Sequence, residues 1–254
     1  MLTGARGRYR ILDPLARGHF CEVFDAVTLD DEERLVVKVP RPDGALTDDA
    51  LLAEAEVAGA LEHDNVMPLV DTGRLDGRVA LVFPRGAGTV CEQIAVGMWP
   101  SAAIEFARQL LAGLAHVHAR GYVHGDIKPD NLIVFGDDLL RIADFGFARR
   151  WSPAGVRTVP LTTEYMAPER QQGQVSPRSD VYEAAVVIVE MLSGWLVGDP
   201  SCPSLQRAMP QARWARELTP ALVRALSPEP AARFLDAGEF ARALEQALRG
   251  WVVN

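Results

Sequence analysis

The stretch HGDIKPDN, residues 124–131, places an acid, a cation and a carboxamide within six positions: Asp126, Lys128 and Asn131. Pro129 sits among them and forbids a regular helix interior, so a loop is expected. These residue types suit phosphoryl transfer. A carboxylate can orient a hydroxyl and take its proton, an ammonium can neutralise the group in flight, and a carboxamide oxygen can ligate Mg²⁺. A further carboxylate, Asp144, follows thirteen residues later in DFG, after the apolar segment Leu139 to Ala143. Asn131 and Asp144 would share the metal work.

The flanks of this loop differ in character. Upstream, Tyr9–Leu15, Glu22–Thr28 and Arg34–Val39 are short segments rich in β-branched or aromatic residues, separated by Gly, Asp or Pro. An Ala/Leu/Glu-rich run predicts a helix over Asp48–Glu62, and two further strands are expected near Leu69 and over Val79–Phe83. Pro84, Gly86 and Gly88 then break the pattern, as a hinge would. Downstream the chain turns helical. Ile104, Ala107, Leu111, Leu114 and Val117 recur at three- and four-residue steps within Ala102–Arg120, a buried stripe ending at Gly121. Asp180–Gly194 is apolar nearly all round, as a core helix is, and Gly238–Gly250 reads as a closing amphipathic helix.

Composition narrows the functions. The 254 residues and 27.7 kDa fit one large domain or two small ones. With 48% apolar and 24% charged residues the chain is an ordinary globular one. Its net charge of −8 argues against nucleic-acid binding, which needs basic surface to displace counterions. The Met1 end lacks the apolar core of a signal peptide, and the longest apolar run, Ala184–Gly198, is too short for a bilayer and carries Glu190, so no membrane partner is expected. Cys21, Cys91 and Cys202 lie far apart, which suits a reducing, cytoplasmic compartment. Of the 26 basic residues only two, Lys38 and Lys128, are lysine. A compact ammonium is not interchangeable with a planar guanidinium where one phosphate oxygen must be reached in a tight space, so composition alone marks both as site candidates.

On these motifs the chain resembles a eukaryotic-type (Hanks-type) serine/threonine protein kinase domain of the bacterial kind. HGDIKPDN is similar to the family's H-R-D-x-K-P-x-N, and DFG matches outright. LTTEYMAPE (161–169) resembles the segment ending in A-P-E, and SDVY (179–182) the start of the central helix. Arg233 stands where the family pairs an arginine with the A-P-E glutamate, here Glu169. The resemblance implies an α+β, two-lobed kinase-like fold over 1–254, with an N-lobe at 1–83, a hinge at 84–88 and a C-lobe at 89–254. It implies ATP and Mg²⁺, with Mn²⁺ as an alternative, and protein substrates. Lys38 matches the lysine that holds the α- and β-phosphates, and Glu54, nine residues before His63, matches its helix partner in preference to Glu56. Asp126 resembles the catalytic base, Lys128 the cation beside the transferred phosphoryl group, and Thr162 the threonine that bonds both. Asn131 and Asp144 resemble the metal ligands. Phe83 aligns as gatekeeper. The backbone of Pro84 to Gly86 would meet the adenine edge, with Val23 and Ile133 sandwiching the ring. The ribose contact falls on Thr89 or Val90.

The departures are specific. The Gly-rich loop appears as ARGHFCEV (16–23), in which Gly18 survives while Ala16 and Cys21 replace the outer glycines, loosening the expected phosphate cradle. Val36 replaces a small alanine and narrows the adenine site, and Leu161 stands where a glycine is usual. Gly125 replaces the arginine of H-R-D. Two other readings therefore stand beside an active kinase: a pseudokinase serving as a binding scaffold, favoured by the eroded loop, and an aminoglycoside-type phosphotransferase, whose loop typically reads H-G-D. No sensor or anchor is evident in the sequence, so regulation is expected from a protein partner or from expression.

Overall fold

The computed structural model describes residues 1–42, 44, 46–152, 156–157, 164–197, 209–210 and 212–249. The chain divides into two compact units, one of Met1–Gly86 with Asp144–Gly146, the other of Ala87–Ala143 with the residues from Phe147 onward.

In the first unit, β1 (Leu2–Gly4), β2 (Arg8–Arg17), β3 (Cys21–Thr28), β4 (Arg34–Pro40), β5 (Asp71–Leu75) and β6 (Arg78–Pro84) form an antiparallel barrel in the order β1-β2-β3-β4-β6-β5, closed by β1 on β5. Strand alternation divides β4 between two faces. Leu35, Val37 and Val39 enter the interior with Leu2, Tyr9, Ala26, Ala80 and Val82. Val36 and Lys38 face the other way. On that outer face lies α1 (Asp48–Gly59), whose Leu51 and Ala55 pack on Cys21, Val79 and Leu81. Full burial of Leu51 contributes roughly 1.5–3 kcal/mol. Thr47 caps α1 by accepting the Ala50 amide, and Asp48 and Asp49 favour its N-terminus. The helix stops at Gly59, short of the predicted Glu62. The strand expected near Leu69 starts instead at Asp71, beyond Pro68, which lacks an N–H for a ladder. Asp71 accepts the amides of Ala5 and Arg6 and the Tyr9 hydroxyl, pinning β1 to the barrel.

In the second unit, β7 (Gly88–Thr89) leads into α2 (Val90–Val96) and α3 (Pro100–Ala119). All five residues of the predicted α3 stripe are buried. β8 (Tyr122–Val123) precedes the HGDIKPDN loop, and β9 (Leu132–Phe135) and β10 (Leu139–Ile142) follow it, forming a sheet of order β10-β9-β7. β11 (Arg149–Arg150) pairs with β8, and β12 (Val156–Arg157) with β13 (Gln174–Val175). At the centre is α4 (Pro177–Ser193), buried on nearly every side and ended by Gly194. Next come α5 (Arg213–Ala225) and α6 (Ala237–Ala247). Sequence reading did not find α5, because Pro220 lies in its interior. Trp214, Leu218 and Leu222 nevertheless bury one face. Among the described residues no helix is long and apolar enough to cross a membrane.

Compared with the expected lobes, the division falls at Gly86, inside the expected hinge. Asp144–Gly146 groups with the β-rich unit rather than with residues 89–254, a consequence of how Asp144 is held.

Candidate active site

In the β-rich unit, three strands bring the sequence candidates onto one face. Val23 lies opposite Lys38, Val36 opposite Phe83, and Leu35 opposite Pro84. Val23, Val36, Lys38 and Phe83 therefore share the outer face of the barrel. Lys38 Nζ donates to Glu54 Oε1 and Oε2 at 2.7 and 2.8 Å and to Asp144 Oδ1 at 2.7 Å. Glu54 is buried in α1, whereas Glu56 is exposed. Burial opposes the ammonium charge, but Asp144 and Glu54 outweigh it and hold the Lys38 pKa above that of an ordinary lysine. Asp144 has a left-handed backbone (φ 64°), strain of the kind held at functional sites. The following turn needs glycine. A Cβ on Gly146 would stand 3.2 Å from Asp144 Oδ1 and 3.3 Å from Glu54 Oε2. At the end of β6, Arg85 Nε donates to Asp25 Oδ1 at 2.5 Å, beside Pro84 and Gly86.

Gly18 lies in the β2–β3 turn, its amide bonded to the Cys21 carbonyl and its own carbonyl to Arg41. Ala16 is exposed, but Cys21 belongs to the α1 contact surface. Burial pushes the Cys21 thiol up to about 11, so it is a packing residue and not a reactive thiolate.

The helical unit gathers the loop candidates. Asp126 Oδ2 accepts from Lys128 Nζ at 2.8 Å and from Asn131 Nδ2 at 2.9 Å, and Asn131 Nδ2 also holds the Asp126 carbonyl. With its amide nitrogen committed to Asp126, Asn131 has its carboxamide oxygen as the donor for a cation. His124 is fully buried; its Nδ1 accepts the Asp126 amide, so Nε2 carries the proton and donates to the Ala143 carbonyl. It props the loop and is not a base. Asp180, at the start of α4, receives the amides of His124 and Gly125 and the His118 ring. Burial alone would raise its pKa, but these donors, His118 foremost, hold it below the usual carboxylate range. Ile133 lies half-buried in β9, opposite Arg141 and Thr89. Thr89 caps α2 and Val90 is buried beneath it. The Glu169–Arg233 pair forms with both carboxylate oxygens engaged, at 2.8 and 2.9 Å, and Arg233 is fully buried. Thr162 lies outside the described residues, as do Leu161 and Cys202.

Sequence reasoning passed over Asp180, Glu183 and Arg170. The available signal was chemical: two carboxylates in the first turns of an otherwise apolar helix must be paired.

The described residues thus present a barrel lysine clamped between helix and loop carboxylates and, in the helical unit, an acid–cation–amide loop. The family model described as "Protein kinase domain" matches residues 9–210, and the chain belongs to that family. It is 31% identical, over 95% of its length and 40% of theirs, to the serine/threonine-protein kinase PknD of Mycobacterium tuberculosis. It is 30% identical to pkn3 of Myxococcus xanthus over 94% of its length and 49% of that protein. With PrkC of Bacillus subtilis it shares 29% over 76% of its length and 32% of that protein. The chain thus spans less than half the length of these relatives.

Proposed function

We propose that this chain is a serine/threonine protein kinase domain, transferring the γ-phosphate of ATP to protein hydroxyls. The observation that carries the reading is that the chain's only two lysines both contact the carboxylates the reaction needs, Lys38 with Glu54 and Asp144, and Lys128 with Asp126.

Lys38 binds phosphate oxygens, and Glu54 keeps its ammonium in place. Asp126 orients the substrate hydroxyl and receives its proton; Lys128 and Asn131 fix the carboxylate for that task. Lys128 also neutralises charge on the transferring group. Asn131 and Asp144 are the oxygen donors we assign to Mg²⁺, or Mn²⁺, a hard cation suited to carboxylate and carboxamide ligands; it would supply charge neutralisation on the phosphates. The family resemblance assigns Thr162 the role of bonding Asp126 and Lys128. By the family resemblance we assign Val23, Val36, Phe83 and the Pro84–Gly86 backbone of the β-rich unit, and Ile133 of the helical unit, to adenine recognition, and Gly18 to the phosphate loop. Protein substrates, a regulatory protein partner and a cytoplasmic, reducing location complete the reading.

The scaffold alternative rests on Ala16 and Cys21. It is opposed by the intact contacts of Lys38 and Asp126. The aminoglycoside alternative is opposed by the Glu169–Arg233 pair, which belongs to a peptide-binding platform. Incubation with γ-labelled ATP and Mg²⁺, offering a generic protein substrate and an aminoglycoside in parallel, separates the three. We expect label on protein only, lost in Asp126→Asn. ATP binding without transfer, or a labelled aminoglycoside, would overturn the proposal.

A further inference from the structure

The helical unit holds a second charged cluster that the proposed chemistry leaves unused. Arg170, in the short turn Pro168–Gln172, and Glu183, in α4, are 3% and 1% exposed. Arg170 Nη1 donates to Glu183 Oε1 at 2.7 Å. The other oxygen, Oε2, accepts the amide of Ile127 at 3.2 Å, and Oε1 receives the Ala167 amide at 3.5 Å. One carboxylate therefore fastens both the residue after Asp126 and the start of the 168–172 turn to the central helix.

The place matters as much as the pairing. Gly125 has a left-handed backbone (φ 75°), and a Cβ there would lie 3.3 Å from the Phe147 carbonyl and 3.9 Å from Arg170 Nη2. The loop thus has no side chain of its own at 125, and a guanidinium from another segment stands beside that position. Buried ion pairs are poor sources of stability, since an apolar pair of similar volume is often as good or better. Stability does not explain why charge is kept here. Burial pushes the Glu183 carboxyl up to about 7 even with Arg170 beside it. The groups around this carboxyl are Arg170, Asp180 on the same helix and, beyond Arg170, Asp126.

Building on the kinase reading, we propose that Arg170 and Glu183 are positioning residues for Asp126, locking the 125–128 loop to the 167–172 segment through one shared carboxylate. The lock is made of side chains already in the fold and so does not wait on a modification of the chain.

The test uses the full chain with Glu183→Ala, Arg170→Met and Arg170→Lys. Each is assayed for kcat and KM per folded molecule and by hydrogen exchange of peptides covering 123–131. Glu183→Ala and Arg170→Met should lower kcat at least tenfold, with KM for ATP within twofold, because the Lys38 cluster is untouched. Exchange should rise in the 123–131 peptide but not in α3 or α6. Arg170 is bound to Glu183 through one nitrogen, a contact an ammonium reproduces, so Arg170→Lys should recover most of the activity. If Glu183→Ala does not fold, Glu183→Gln keeps the size and an oxygen for Ile127 while leaving Arg170 without its counter-charge, and should still lose kcat. A kcat within twofold of the native protein in Arg170→Met and Glu183→Gln, or exchange rising evenly through the helical unit, would overturn the proposal. If the native chain transfers no phosphate, the kinase reading fails by itself, and the exchange of 123–131 alone decides the positioning claim.

Discussion

The Lys38 cluster of the β-rich unit and the Arg233 cluster of the helical unit are both ion pairs in a largely buried setting, yet they are built differently. Lys38 meets two carboxylates with a compact ammonium, and one of them, Asp144, has a side chain 38% exposed. Arg233 is fully enclosed and saturated. It engages both Glu169 oxygens and the carbonyls of Ser227, Arg178 and Pro228, and stacks on Tyr182. A planar fork held on all sides is fixed architecture. A point charge with one partner half-open can exchange that partner for a phosphate oxygen. In a chain that otherwise uses arginine for positive charge, lysine marks where the charge must be lent to a ligand.

On this contrast, the largest effect comes from breaking the closed cluster. Arg233→Met leaves Glu169 without its counter-charge and should cost about 3–5 kcal/mol of stability, read from urea denaturation. A loss under about 1 kcal/mol would mean the pair is surface decoration. Next comes the open cluster. Lys38→Arg keeps the charge but not the shape. It should lower kcat/KM about 100-fold through misplacement of the nucleotide, with little change in melting temperature; retention of half the native rate would refute the distinction. Gly146→Ala pushes a methyl group toward Asp144 and Glu54 and should lower kcat about tenfold, on the order of 1.4 kcal/mol of transition-state stabilisation. Restoring the phosphate loop should do less. Ala16→Gly is expected to lower the KM for ATP about two- to threefold, below the tenfold that about 1.4 kcal/mol would give, because part of any gained hydrogen bond is offset by loop entropy. The same change at Cys21 should not help, since its side chain packs on Leu51 and Ala55. The smallest effect is expected from phosphatase treatment, or from Ser152→Ala with Thr158→Ala. Gly125 offers a phosphate no receptor, and steady-state rates on an exogenous peptide should stay within about twofold. A tenfold drop would mean that a phosphate does order the segment.

Much of this was legible in the sequence because it lies in local pattern. The strands of Glu22–Thr28 and Arg34–Val39 alternate as barrel strands do, and the α3 stripe keeps helical period. Lys38, Asp126, Lys128, Asn131 and Asp144 sit in motifs whose residue types state their chemistry. Glu54 is singled out by its spacing to His63, and helix geometry, which puts Glu56 on another side, allows only one of the two to face Lys38. What stayed hidden depends on partners distant in sequence. Nothing local to Pro220 says that Trp214 and Leu222 will hold a helix around it. Nothing local to Arg170 says that its partner is thirteen residues away on α4, or that the same carboxylate holds Ile127. The left-handed backbone at Asp144 has no sequence signature apart from the glycine two residues later, whose missing Cβ makes room for Glu54.

The short β1 strand has a consequence for what can dock on the barrel. An open sheet ends in a row of unpaired amides and carbonyls, a template on which another chain can add a strand. By pairing with β2 through Leu2 and Thr3 and with β5 through Thr3 and Gly4, three residues cover that template on both sides at once, at Arg8–Tyr9 and at Gly73–Arg74. Strand addition at these positions would first have to peel β1 away from Asp71, so association there must use side-chain surfaces and not backbone pairing.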